Sequence, residues 1–106
     1  MTRQGRANAL FRSLLQRRSC RGGWRVDITH DDTNDDCPFS YVHLTLEKET
    51  EVAHGAALFF NFNEDNSNDC LREFGTSNIV DKSTTDLSTK KLVNLAERRM
   101  KQVLSL

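Results

Sequence analysis

The sequence predicts a small single-domain α+β fold of order α-β-β-β-α, with a three-stranded antiparallel sheet covered by helix on one face. Three observations carry this. The chain is 106 residues long, three segments between residues 24 and 62 alternate with a period of two, and apolar residues recur at helical spacing near both ends. A chain of this length is one domain's worth and buries one modest core.

The first element is a short helix over residues 7–19, where Ala7, Leu10, Phe11, Leu14 and Leu15 share a face. Arg12, Arg17 and Arg18 border that stripe, and Gly22-Gly23 stops it. Residues 24–29 follow as a strand, with Trp24, Val26 and Ile28 on one side and Arg25, Asp27 and Thr29 on the other. The stretch from His30 to Cys37 is a polar loop, and Pro38 suits an edge or a strand start. Residues 39–46 alternate again, with Val42, Leu44 and Leu46 opposite Phe39 and Tyr41. Glu47 to Gly55 turn the chain into a third strand over 56–62, with Leu58, Phe60 and Phe62 on one face. Residues 63–78 are read as a long polar connection.

The last helix is expected from about Asp86 to Leu104. Ser83 with Asp86 three residues later fits a capping box. Leu92, Leu95, Ala96, Met100, Val103 and Leu104 form its apolar face, which is either core or a groove-binding surface. Lys90, Lys91, Arg98, Arg99 and Lys101 lie mostly elsewhere on it.

Charge divides the chain into three zones. Seven arginines and no acid occupy residues 1–26, giving +7; residues 27–80 hold twelve acids against two bases, giving −10; residues 81–106 hold six bases against three acids, giving +3. Such zoning bears on association more than on fold. Charged residues make up 28% of the chain and hydrophobic residues 37%, below the roughly 45–50% of an average globular chain in a count that includes glycine. The longest apolar run, Ala56 to Phe60, is far too short to span a bilayer.

The natural division is therefore a basic amphipathic arm, residues 1–23, and an α+β domain, residues 24–106. Rich in Arg and lacking acid, the arm has the composition of a mitochondrial transit peptide. A packed first helix and a basic arm contacting nucleic acid are the other readings. Cys20, Cys37 and Cys70 are odd in number and no secretory hydrophobic segment precedes them, which fits a reducing compartment.

Two acidic loops share the pattern D-x-[NS]-x-D-C, at Asp32–Cys37 and Asp65–Cys70. Oxygen ligands at alternate positions resemble the start of a calcium loop. The sixth position needs glycine and holds Cys37 or Cys70, and the twelfth needs a bidentate Glu and holds His43 or Thr76. Solvated turns are the favoured reading. No paired cysteine or histidine spacing frames a zinc site around His30, His43 and His54. No nucleophile signature or glycine-rich phosphate loop is present. The expectation is thus no enzyme, no metal and no cofactor.

The α-β-β-β-α order, with Thr89-Lys90-Lys91 opening the last helix, resembles a double-stranded-RNA-binding domain over residues 7–104. In that family a Ser-Lys-Lys-type run grips phosphates across a groove, so the resemblance implies that role for Lys90 and Lys91. The chain departs from the family at Asn94, where a third lysine is expected, at Glu97, where a small residue is expected, and in the length of 63–87. The acidic middle zone also opposes a polyanion.

The leading expectation is an accessory or adaptor subunit, mitochondrial in location, that docks into a larger protein or ribonucleoprotein complex. The alternative is an RNA-binding module. The binding residues expected in either case are Arg12, Arg17, Arg18, Lys90, Lys91, Arg98 and Arg99.

Overall fold

Antiparallel strands joined in sequence order form one five-stranded meander, β1-β2-β3-β4-β5, with a helix at each end of the chain. The computed structural model describes residues 1–17, 23–33, 37–46, 56–74 and 80–105. The elements are α1 (Arg3–Gln16), β1 (Trp24–Asp31), β2 (Phe39–Leu46), β3 (Ala57–Asn63), a 3-10 turn at Asn66–Asn68, β4 (Cys70–Phe74), β5 (Val80–Ser83) and α2 (Thr89–Ser105).

The α+β class and the first three strands agree with the sequence. The strand count does not: among the described residues the sheet has five strands, not three. β4 and β5 lie in the segment expected to be a polar connection and just beyond it. β4 pairs with β3 through Phe60↔Leu71 and Leu58↔Glu73, and β5 adds through Leu71↔Lys82 and Glu73↔Val80. The inward positions of β4 hold Leu71 and Glu73, both buried. A carboxylate at an inward position breaks the apolar alternation that marks a strand.

Both helices cover the same sheet face. That face carries Trp24, Val26 and Ile28 from β1, Val42, Leu44 and Leu46 from β2, Leu58, Phe60 and Phe62 from β3, and Leu71 from β4. They join Ala7, Leu10 and Leu14 of α1 and Leu92, Val93, Leu95, Ala96, Met100 and Val103 of α2 in one hydrophobic cluster. Alternation sorts β2 cleanly, because Ser40, Val42, Leu44 and Leu46 are buried while the residues between them are half-buried.

Each helix begins differently from the sequence expectation. α1 starts four residues before its apolar repeat, because the Thr2 hydroxyl accepts a hydrogen bond from the Gly5 amide at 2.9 Å and caps it. Its stripe is packed: Ala7, Leu10 and Leu14 are fully buried, whereas Leu15 is 51% exposed. α2 begins at Thr89, not Asp86. Ser83 ends β5 and its hydroxyl donates to Thr85 Oγ1 at 3.0 Å, so no capping box forms there. The Ser88 hydroxyl accepts from the Lys91 amide at 3.3 Å instead. Asp86 sits at φ 62° in the turn between them, a left-handed conformation that Asp tolerates better than most residues. Among the described residues no helix is long and apolar enough to cross a membrane.

Candidate docking surfaces

The sheet face that neither helix covers is lined with rings. Phe39, Tyr41 and His43 project from β2, Phe59 from β3 and Phe74 from β4. Phe59 is their centre. It stacks on His43 with ring centroids 4.1 Å apart, meets Tyr41 at 5.7 Å, and takes Phe74 edge-on at 5.3 Å. Phe39 stacks on Tyr41 at 5.9 Å. The register explains the cluster: His43 lies directly opposite Phe59, and Phe39, Tyr41 and His43 are alternate residues of one strand. Each ring is half-buried, shielded in large part by its neighbours. Aromatic pairs in such offset and edge geometries gain about 0.5–1.5 kcal/mol beyond area burial.

His43 is tuned by this setting. Partial burial among the rings holds its pKa below the ordinary imidazole value, Asp27 opposite it works the other way, and Arg25 adds to the lowering. Its Nε2 lies 2.8 Å from the Thr45 hydroxyl.

A second surface lies beside the sheet edge. Lys82 and Ser83 of β5, Leu87 of the turn, and Lys91, Asn94, Leu95 and Arg98 of α2 line an open groove of about 610 Å³. Lys91, Leu95 and Arg98 are four and then three residues apart, so they form one stripe along α2. Lys82, Lys91 and Arg98 are exposed. Arg17, the C-cap of α1, reaches this group, donating to Asn94 Oδ1 at 3.4 Å.

The structure therefore brings together three of the seven residues expected from sequence: Arg17, Lys91 and Arg98. Lys90 is exposed one residue before Lys91, and Arg12 is exposed on α1. Arg18 lies outside the described residues. Arg99 turns inward, donating from Nε to Glu73 Oε1 at 2.5 Å and from Nη2 to Glu73 Oε2 at 2.7 Å. These bonds hold its pKa above the ordinary guanidinium value despite partial burial. Lys82 escaped the sequence reading because β5 did.

The two acidic loops receive arginines of α1. Arg3 is buried and bonds Glu64 through Nε at 2.8 Å, Asp32 through Nη2, and the fully buried Ser40 hydroxyl through Nη1 at 2.7 Å. Burial disfavours its charge, but the bonds to Glu64 and Asp32 prevail and hold its pKa high. Arg6 bonds Asp69 through Nε at 3.2 Å and the Asn63 carbonyl through Nη2 at 2.5 Å. Asp65 caps the 3-10 turn by accepting from the Ser67 amide at 3.0 Å. Three carboxylates of the calcium-like patterns thus have protein partners. Among the described residues no cluster of three or more His, Cys, Asp or Glu could hold a metal ion. Residues 34–36, Cys20, His54 and Thr76 lie outside them, while Cys37 is exposed and Cys70 half-buried.

One arrangement has the connectivity of a nucleophile, a base and an orienting group. The Ser40 hydroxyl accepts from Arg3 and lies 2.6 Å from His30 Nδ1, while His30 Nε2 lies 3.2 Å from Asn8 Oδ1. Ser40 has no exposed surface, and Arg3 lies over it. An Oγ that no substrate can approach, and that already accepts a charge-assisted hydrogen bond, is a poor nucleophile. The relay fastens α1 to β1 and β2. Comparison with protein families, with curated proteins and with solved structures finds no match to this chain.

Proposed function

We propose that the chain is a non-enzymatic accessory or adaptor subunit that docks into a larger complex through the open face of its sheet. The observation that carries this is the cluster of Phe39, Tyr41, His43, Phe59 and Phe74 on the side that neither α1 nor α2 covers. Contiguous aromatic surface on a small domain marks interaction sites, and aromatic anchors supply much of the energy of protein interfaces. A transit-peptide role for the arginine-rich arm enters this reading in a restricted form. Ala7, Leu10 and Leu14 belong to the core, so a mitochondrial signal here would be a retained one.

The test is a Phe59→Lys variant. It should keep the helix and sheet signals of circular dichroism while the chain moves, in native size fractionation of cell extracts, from a large assembly to the size of the free subunit. A wild-type chain that already fractionates as the free 12.1 kDa subunit removes the proposal.

A second reading, an RNA-binding module, draws on the exposed Lys90 and Lys91 at the start of α2 and on rings able to stack bases. RNA affinity would fall steeply as salt rises. Binding that survives added salt and depends on Phe59 speaks for the protein partner.

A further inference from the structure

We propose that the groove between β5 and α2 receives an extended acidic peptide, which adds to the sheet as a sixth strand beside β5. This inference identifies a kind of partner for the docking reading, at a surface separate from the aromatic face. β5 ends the strand order and pairs only with β4 among the described residues. Its outer backbone amides and carbonyls form an edge on which an extended segment can pair. A lysine on a short edge strand is an ordinary guard against such pairing. A guard alone does not require the Lys91–Leu95–Arg98 stripe of α2 overlooking the same edge.

Charge and spacing select the occupant. Lys82, Lys91 and Arg98 are exposed, and among the described residues none of the three forms an ion pair. A new strand would direct alternate side chains toward α2. Lys91 and Arg98 are separated by about 10 Å along the helix axis at about 1.5 Å per residue. Residues four apart on a strand are about 13 Å apart at about 3.3 Å per residue. Long Lys and Arg side chains span that difference. The matching pattern is acid-x-apolar-x-acid. Its outer carboxylates meet Lys91 and Arg98, and its central apolar side chain meets Leu87 and Leu95.

A nucleic acid fits less well. It could use the three cations but would leave the apolar floor uncovered and the strand edge unpaired.

The probe is a fluorescein-labelled synthetic peptide with the core Glu-Thr-Leu-Thr-Glu, titrated into the full chain and followed by anisotropy. It should bind, and the triple variant Lys82→Glu, Lys91→Glu, Arg98→Glu should bind it at least tenfold more weakly. A peptide with proline in place of both threonines should lose binding through lost backbone pairing. Amide NMR of the unmodified chain keeps the test independent of the variant's folding: shifts should concentrate at residues 82–83 and 91–98. Absent peptide binding, unchanged affinity in a folded triple variant, shifts confined to the aromatic face, or tighter binding of a single-stranded RNA of equal charge would each overturn the proposal. None of those results bears on the Phe59 experiment.

Discussion

Arg99 closes over the buried carboxylate of Glu73 through two parallel hydrogen bonds, Nε to Oε1 at 2.5 Å and Nη2 to Oε2 at 2.7 Å. Glu73 stands on the helix-covered face of β4, and its side chain is 4% exposed against 33% for Arg99. The pair explains how an acid occupies an inward strand position. Arg99→Ala leaves that carboxylate buried and unpaired, and should cost about 2–4 kcal/mol, less than a fully buried pair because solvent reaches Arg99. The double change Arg99→Met, Glu73→Met should recover most of the loss. Urea denaturation of the two variants beside the wild type checks both outcomes.

Arg3 is held by geometry as much as by charge. Its guanidinium serves Asp32, Glu64 and Ser40 at once. A lysine supplies the charge without the planar fork. Arg3→Lys should therefore lose nearly as much stability as Arg3→Ala, about 1–3 kcal/mol for the orphaned buried hydroxyl and lost ion pairs. A thermal midpoint for Arg3→Lys equal to wild type would contradict this.

The first helix offers a paired comparison. Leu10 is fully buried and Leu15 is half-exposed. Leu10→Ala should cost about 2–5 kcal/mol through lost transfer energy and a cavity. Leu15→Ala should stay within about 0.5 kcal/mol. Equal, small effects would mean that the arm is detachable from the domain.

His43 gives the fold a pH dependence with a defined sign. Its pKa is lowered in the folded chain, first by burial, so the unfolded chain takes up the proton more readily. Stability should be full above the ordinary imidazole value of about 6.5. It should fall as pH drops from there toward the folded pKa. His43→Gln should flatten that part of the profile. The carboxylates with lowered pKa, Asp31 and Asp65, act only further down, near and below about pH 4. Midpoints measured between pH 7.5 and 5 separate the two effects.

The sequence made legible those elements whose side chains follow one physical rule. β2 reads as a strand because its inward residues from Val42 to Leu46 are apolar, and α2 because its stripe repeats for four turns. β4 was hidden because one inward residue, Glu73, is charged and its partner Arg99 lies 26 residues away. β5 has four residues and no apolar alternation. The true cap of α2 was hidden because Ser83 and Asp86 offered a better local pattern than Ser88. The basic site was visible in part, as Arg17, Lys91 and Arg98, but pattern alone could not separate Arg99 from Arg98. The aromatic face has a signal in the sequence: Phe39, Tyr41 and His43 place rings at three of the four β2 positions opposite the apolar stripe, with Thr45 at the fourth.

The meander also dictates an order of assembly. Each strand pairs with its neighbour in sequence, so the sheet closes through local pairings at low entropic cost. α1 covers part of the face bearing Leu44, Leu58 and Phe60, but the remainder, with Leu71 of β4, stays bare until α2 is present to cover it. During synthesis the nascent sheet is thus a sticky intermediate, open to holdase capture or to self-association. Folding kinetics would register this directly. Val42→Ala should slow folding, while Leu95→Ala should chiefly accelerate unfolding.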